Sequence, residues 1–318
     1  MQAHGIRQAS FSFRAGGQHT AGASPSATIE TVFLLASLTK PMTATAVMKL
    51  VDRGQLKLND LAKKYLPELA GGQRASITIR HLLTHTSGLP DMLPENDALR
   101  RRHAPLREWV ALACRTPLLF TPGTEGRYQS MGILLAAEIV ERVAKQPLPD
   151  FLSRELFAPF GMKATTLGLG PRALASTAPS QVTGNDDWNW NSPYWRKLGA
   201  PWGGALAPVA GVVAFVQAFL QPERQSVLKV ETARAMVTDQ NAGLNLPWGI
   251  GWAVNSRPRP DGGFGKGCSP RAFGHSGSTG TLCWADPASD RVFVILTTKP
   301  AAESNQPVLH PLSDLASI

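Results

Sequence analysis

Apolar and polar residues alternate across Ala9-Ser10-Phe11-Ser12-Phe13-Arg14, and Gly16-Gly17 follows. A period of two ending in a glycine pair predicts a strand that turns into a hairpin. From 38 to 51 the period changes. Ala44, Val47, Met48 and Val51 fall on one helical face, and Gly54 ends the run. A second helix is predicted over 132–144, with Leu134, Leu135, Ile139 and Val143 on one side. A third, apolar nearly all round, is predicted over 210–220. Strand patterns return at 248–254, 280–285 and 291–297. Asp286-Pro287-Ala288-Ser289-Asp290 between the last two has turn composition, which predicts an antiparallel hairpin. Strands at both ends and helices between them predict an α+β fold, an α/β lobe plus an all-α lobe, in which one antiparallel sheet is built from both termini. The expected boundaries are 1–58 with 229–318 for the sheet lobe, and 59–228 for an inserted, mainly helical lobe.

Composition narrows the class. Of 318 residues 43% are hydrophobic and 17% charged, the latter below the ~25% usual for soluble domains, so extended disorder is excluded. The net charge is +9, which raises nucleic acid as a partner. The dense basic run, Arg100-Arg101-Arg102-His103 with Arg107 behind it, has no zinc-finger spacing and no aromatic RNA-binding strand beside it. It reads as a solvated face, and nucleic acid is not expected as a partner. Cys114, Cys268 and Cys283 are odd in number and widely spaced, so neither a disulfide framework nor a cysteine metal site is expected. No apolar segment follows Met1-Gln2-Ala3-His4, which predicts a cytoplasmic protein, a trimmed secreted form staying open. The uncharged stretch over 198–222 is interrupted by Pro201, Gly203, Gly204, Pro208, Gly211 and Gln217, so it reads as loop plus buried helix and no membrane span is expected.

Chemistry must then come from side chains in a cleft. No P-loop, complete G-x-G-x-x-G or complete G-x-S-x-G is present. His81 and His85 stand four apart but lack the glutamate of zinc peptidases, so no metal is expected there. Ser37-Leu38-Thr39-Lys40 opens the first helix. A serine and a lysine three apart share a helical face. A lysine with a lowered pKa can take the serine proton, and helix-start N–H groups can hold an oxyanion. About one S-x-x-K is expected by chance in a chain this long, and Ser226-Val227-Leu228-Lys229 is a second copy.

Context separates the two copies. Phe33-Leu34-Leu35-Ala36-Ser37-Leu38-Thr39-Lys40-Pro41 resembles the nucleophile box of the serine β-lactamase and penicillin-binding-protein superfamily. The branch it resembles holds class C β-lactamases, D,D-peptidases and family VIII carboxylesterases. Further similar segments lie in order at 51–66, at His81-Leu82-Leu83-Thr84-His85-Thr86-Ser87-Gly88-Leu89-Pro90, at Trp248-Gly249-Ile250-Gly251-Trp252 and at 273–280. The likeness spans about 28–300. It implies an active site between the two lobes, with Ser37 as acylated nucleophile, Lys40 as base and Tyr128, in Tyr128-Gln129-Ser130, as proton relay. It implies that His275-Ser276-Gly277 lines the cleft and that the N–H groups of Ser37 and Ser278 receive the oxyanion. No cofactor and no metal are implied. The expected partner is a small-molecule ester or amide, and the expected state a monomer or weak homo-oligomer.

Two positions depart from that family's pattern. Ser130 replaces an asparagine and has a shorter reach for substrate. His275 replaces a lysine that holds substrate carboxylates, and a histidine is mostly neutral at pH 7. The histidine favours a carboxylesterase on short-chain esters over the alternatives, a β-lactamase or a D,D-peptidase/D-aminopeptidase; the serine would lower activity or change specificity, and a catalytically silent binding protein of the same fold is the further alternative. About 36 residues precede Ser37, fewer than in the relatives, which predicts one sheet face partly uncovered and prone to self-association. Trp188, Trp190, Tyr194, Trp195 and Trp202 cluster within fifteen residues, as an acyl-pocket wall or as packing of an irregular loop. A rim formed by Arg100 to Arg102 would favour acidic substrates.

Overall fold

The computed structural model describes residues 4–182, 184, 186–258 and 264–318. The alternating start forms the hairpin of β1 (Ala9–Ala15) and β2 (Gln18–Ala23). Two-residue β3 (Phe33–Leu34) leads into α1 (Thr39–Asp52). Short helices α2 (Ile79–Leu83), α3 (Asn96–Arg101) and α4 (Leu106–Ala113) precede α5 (Met131–Ala144) and α6 (Leu148–Leu152). After β4 (Thr166–Leu167), α7 (Pro193–Leu198) and β5 (Ala205–Ala207) come α8 (Val209–Leu220) and α9 (Val230–Met236). The chain ends with β6 (Ala253–Val254), β7 (Phe273–Gly277), β8 (Thr281–Asp286), β9 (Arg291–Thr297), α10 (Ala301–Ser304), a π-helical turn Asn305–Leu309 and α11 (His310–Ser317).

Both termini build the main sheet, as the strand pattern predicts. Its order is β2-β1-β9-β8-β7-β6, with every neighbour antiparallel. Period two sends alternate residues to opposite faces. Phe273, Cys283, Ala285, Val292, Val294 and Leu296 join the larger core shared with the helices, while Leu282, Trp284, Phe293 and Ile295 form a second cluster on the other face. That outer face is covered by the C-terminal segment, where Trp284 donates to the Ser313 hydroxyl at 2.7 Å. Trp284 and Ile295 are fully buried; Phe11 and Phe13 are half-buried at its edge. The uncovered face expected from the sequence is therefore reduced to that edge.

Two elements differ from expectation. Helix α8 lies in the stretch expected to be the helical lobe, yet it packs on β1, β8 and β9. Val212, Phe215, Val216 and Phe219 are buried on it, because a helix apolar all round needs cover on both sides. The strand expected over 248–254 shrinks to β6. Gly251 takes φ +79°, and a Cβ there would meet the Ala44 Cβ at 2.4 Å. Its N–H donates to Leu83, and Ile250 N–H donates to Met236. The segment follows α1 and α9 instead of a partner strand. Among the described residues, no helix is long and apolar enough to cross a membrane.

Candidate active site

Ser37 sits in the 3₁₀ turn Ala36–Leu38 between β3 and α1. Ala36 before it has φ +47°, a conformation that costs a non-glycine residue on the order of 1–3 kcal/mol and tends to mark functional sites. Two threonines, one in the β7–β8 turn and one on β8, hold this turn in place. The Thr279 hydroxyl donates to the Leu34 carbonyl at 2.7 Å, and the Thr281 hydroxyl to the Leu35 carbonyl at 2.9 Å. Between them Gly277 has no room for a side chain: a Cβ would stand 2.5 Å from the Leu35 oxygen. The end of β7 thus lies directly against the nucleophile.

Lys40 lies one helical turn on and is fully buried. Its Nζ is 3.0 Å from Ser37 Oγ and 3.1 Å from the Trp202 carbonyl. Burial pushes its pKa down to about 7, with Asp91 opposing the fall. Near neutral pH the unprotonated amine, able to accept a proton, is then readily available. The Tyr128 ring lies 4.7 Å from Lys40 Nζ. Burial raises the pKa of its hydroxyl; a hydrogen bond with Ser37 opposes the rise, and Asp91 adds to it. The two groups are moved in opposite senses, so the amine suits a base and the phenol a proton donor.

His275 is buried on β7, opposite Cys283, and its Nδ1 is 2.7 Å from the Ser276 carbonyl. With His85, Tyr128 and Trp248 it makes an aromatic group, ring centroids 4.5 to 6.0 Å apart. Ser276, Gly277 and Ser278 line the same cleft as Ser37, Tyr128 and His275. The cleft holds about 910 Å³. It continues past Leu246, Trp248, Phe264 and Leu282 to Ala301, Ala302, Asn305 and Gln306. That size suits a small-molecule substrate.

Ser130 does not line this cleft. It is buried at the start of α5, with its hydroxyl donating to Asp91 Oδ1 at 2.6 Å and its N–H to the Asp91 carbonyl at 3.3 Å. Asp91 is absent from the sequence reading, since a carboxylate one residue past the Leu89-Pro90 pair carries no motif of its own. His85 was read only as half of a weak metal pair. Its carbonyl accepts from Arg127 at 2.9 Å and its Nδ1 from Gln129 at 3.3 Å, either side of Tyr128. His81 caps α2 together with Thr78. Ser226 is exposed, and the Lys229 N–H donates to Asp52, so the second S-x-x-K copy lies outside the cleft.

The aromatic cluster takes the packing role. Trp202 packs at a tilt on Trp109 and edge-to-face on Trp195, and the Arg100 guanidinium covers Trp195 and Trp188. Arg100, Arg101 and Arg102 do not line the cleft, so they form no basic rim there.

Comparison with known proteins agrees with this geometry. The family model for Beta-lactamase matches residues 1–316. The chain belongs to the Beta-lactamase family. A putative D-alanyl-D-alanine carboxypeptidase of Salmonella enteritidis PT4 is 26% identical over 317 residues, covering 90% of this chain and 73% of the relative. Among solved structures, EstCE1, a hydrolase with promiscuous acyltransferase activity, superposes with a TM-score of 0.82 at 20% identity, over 100% of this chain and 95% of that one. The D-amino acid amidase of Ochrobactrum anthropi SV3 has a TM-score of 0.74 at 19% identity, over 94% and 88%. This Beta-lactamase family member therefore has the antiparallel-sheet fold of penicillin-binding-protein-like serine hydrolases.

Proposed function

We propose that the protein is a carboxylesterase that works through an acyl-enzyme on Ser37. The observation that carries the reading is the fully buried Lys40 amine, 3.0 Å from Ser37 Oγ, with its pKa lowered to about 7. Ser37 Oγ attacks the ester carbonyl while its proton passes to Lys40. The N–H groups of Ser37 and Ser278 receive the oxyanion. As the tetrahedral adduct collapses, the C–O bond to the alcohol breaks and Tyr128 hands the departing oxygen a proton, which Lys40 resupplies. Water then attacks the acyl carbonyl and gives a proton to the same pair, which returns it to Ser37 Oγ as the acyl C–Oγ bond breaks and the acid leaves.

Esters are favoured over β-lactams and D,D-peptides because those substrates carry a carboxylate. Among the described residues lining the cleft there is no lysine or arginine, and His275 stands at the position of the resembled family's cationic residue. Hydrolysis of p-nitrophenyl butyrate beside Ser37→Ala tests the reading. Activity lost in the variant is expected. Equal rates in both would overturn the Ser37 mechanism, and faster turnover of a chromogenic cephalosporin than of the ester would overturn the substrate class.

A further inference from the structure

Helix α2 ends in a turn of the kind that usually takes a glycine. The Thr86 N–H reaches back to the His81 carbonyl at 3.1 Å, and His85, just before it, has φ +62°. A left-handed residue at this point of a helix end is commonly glycine, because a Cβ strains it. Here a fully buried histidine takes the place. What that histidine holds explains the choice. Its carbonyl accepts from the Arg127 N–H at 2.9 Å, and its Nδ1 accepts from the Gln129 N–H at 3.3 Å. One residue thus grips the chain on both sides of Tyr128. Its ring lies against the phenol ring, centroids 4.7 Å apart, and against Trp248 at 4.5 Å. Since Nδ1 accepts, the ring proton lies on Nε2. Burial holds the imidazole pKa well below its usual value, and the Lys40 and His275 charges add to the fall. The ring therefore stays neutral near pH 7 and keeps its acceptor. The grip is returned from α5. The Gln129 amide lies 2.6 Å from the Ser87 hydroxyl, and at Gly132 a Cβ would stand 2.8 Å from the Leu82 oxygen, so only glycine lets α5 close on α2.

We propose that His85 is the positioning residue of the proton relay: it clasps the backbone on both sides of Tyr128 and so holds the phenol hydroxyl against Ser37. The proposal rests on the acyl-enzyme reading above, in which Tyr128 protonates the departing alcohol, and adds the residue that aims it. The Tyr128 hydroxyl shares a hydrogen bond with Ser37, and that bond needs the phenol in one place. His85 is not among the described residues lining the cleft. It acts through Tyr128 and not on the substrate.

Ethyl butyrate and p-nitrophenyl butyrate give the same acyl-enzyme and differ in whether the departing oxygen needs a proton. The readout is the ratio of their kcat/KM values, ethyl over p-nitrophenyl, within one preparation, so that the folded fraction cancels. His85→Gly keeps the turn, since glycine takes this φ without strain, and removes the Nδ1 acceptor. It should lower the ratio on the order of tenfold, as a misplaced proton donor does. His85→Asn should restore the ratio, because asparagine tolerates this backbone and its Oδ1 stands in for Nδ1. In His85→Gly combined with Tyr128→Phe, the ratio should equal that of Tyr128→Phe alone, since no phenol hydroxyl is left to aim. If His85→Gly does not fold, His85→Ala carries the same comparison. Three results overturn the proposal and leave the relay standing: a ratio unchanged in His85→Gly, one as low in His85→Asn, or one lower in the double variant than in Tyr128→Phe. A ratio unchanged in Tyr128→Phe overturns the relay and the proposal together.

Discussion

The Thr281 hydroxyl donates to the Leu35 carbonyl across 246 positions of sequence, and so ties strand β8 to the residue two places before the nucleophile. With the Thr279 bond to Leu34 it sets the distance between Ser37 and the end of β7, next to the proposed oxyanion donor Ser278. Thr281→Val keeps the shape and leaves the buried Leu35 oxygen short of a donor. A loss of about 1–3 kcal/mol in stability is expected. A displaced oxyanion donor should also lower kcat by roughly 10²-fold with little change in KM. Thermal melts and steady-state kinetics check the pair of effects. An unchanged kcat would mean that the two strands hold their spacing without this bond.

Lys40 predicts the acid limb of the pH profile. Its unprotonated amine is the active form, so log kcat/KM for an ester should rise with unit slope below about pH 7 and level off above. Asp91 opposes the fall in the Lys40 pKa, so Asp91→Asn should move the midpoint downward. A midpoint that stays in place, or moves up, would separate Asp91 from Lys40.

Burial of Lys40 also has a thermodynamic sign. Its folded pKa lies below its unfolded 10.5, so the folded state binds fewer protons between about pH 7 and 10.5, and stability rises with pH across that window. Below pH 7 the full penalty applies, roughly 5 kcal/mol for a shift of this size. Lys40→Met should therefore abolish turnover and raise the melting temperature at pH 6 more than at pH 10. A lower melting temperature at both would show that the amine's bonds to Ser37 and Trp202 outweigh its desolvation.

Tyr128→Phe removes the proton donor but keeps the ring against Lys40, His85 and Trp248. A drop of about 10²–10⁴-fold in kcat is expected for an alkyl ester. The drop should shrink for a p-nitrophenyl ester, whose leaving group needs no proton. Equal losses on both esters would indicate a positioning role for the phenol.

His275→Lys would return a cation to the cleft. It should shift the ratio of kcat/KM toward a carboxylate-bearing ester, such as a hemisuccinate, over its uncharged methyl counterpart. Direct measurement of both esters decides it, and an unchanged ratio would mean that substrates do not approach β7 with their acid group.

Local pattern carried much of this structure. The β1–β2 and β8–β9 hairpins and helices α1, α5 and α8 follow from periods of 2 and 3.6 with their turn residues. Ser37, Tyr128 and the His275–Ser278 segment line one cleft, with Lys40 bonded to Ser37, and the serine and lysine are told from the Ser226–Lys229 copy by the segments around them. No such signal marks Asp91, Thr279, Thr281 or the Trp202 carbonyl, because each acts on a residue far along the chain and through a bond that many residue types can make. The strand misread at 248–254 has the same origin. Its apolar residues suit a strand, and only the approach of Ala44 to Gly251 shows why the chain turns away.

The pairing of β1 with β9, Ala9 opposite Thr297, joins two strands far apart in sequence inside the sheet. β1 is made before β9, and it has no neighbour on that side until β9 is available. Long-range closure of this kind is slow. Thr279 in the β7–β8 turn and Thr281 on β8 tie the same part of the sheet to the Ser37 turn. Ser37 and Lys40 come together locally at the start of one helix, whereas the contacts that set the Ser37 turn against β8 are long-range and form only as the sheet assembles.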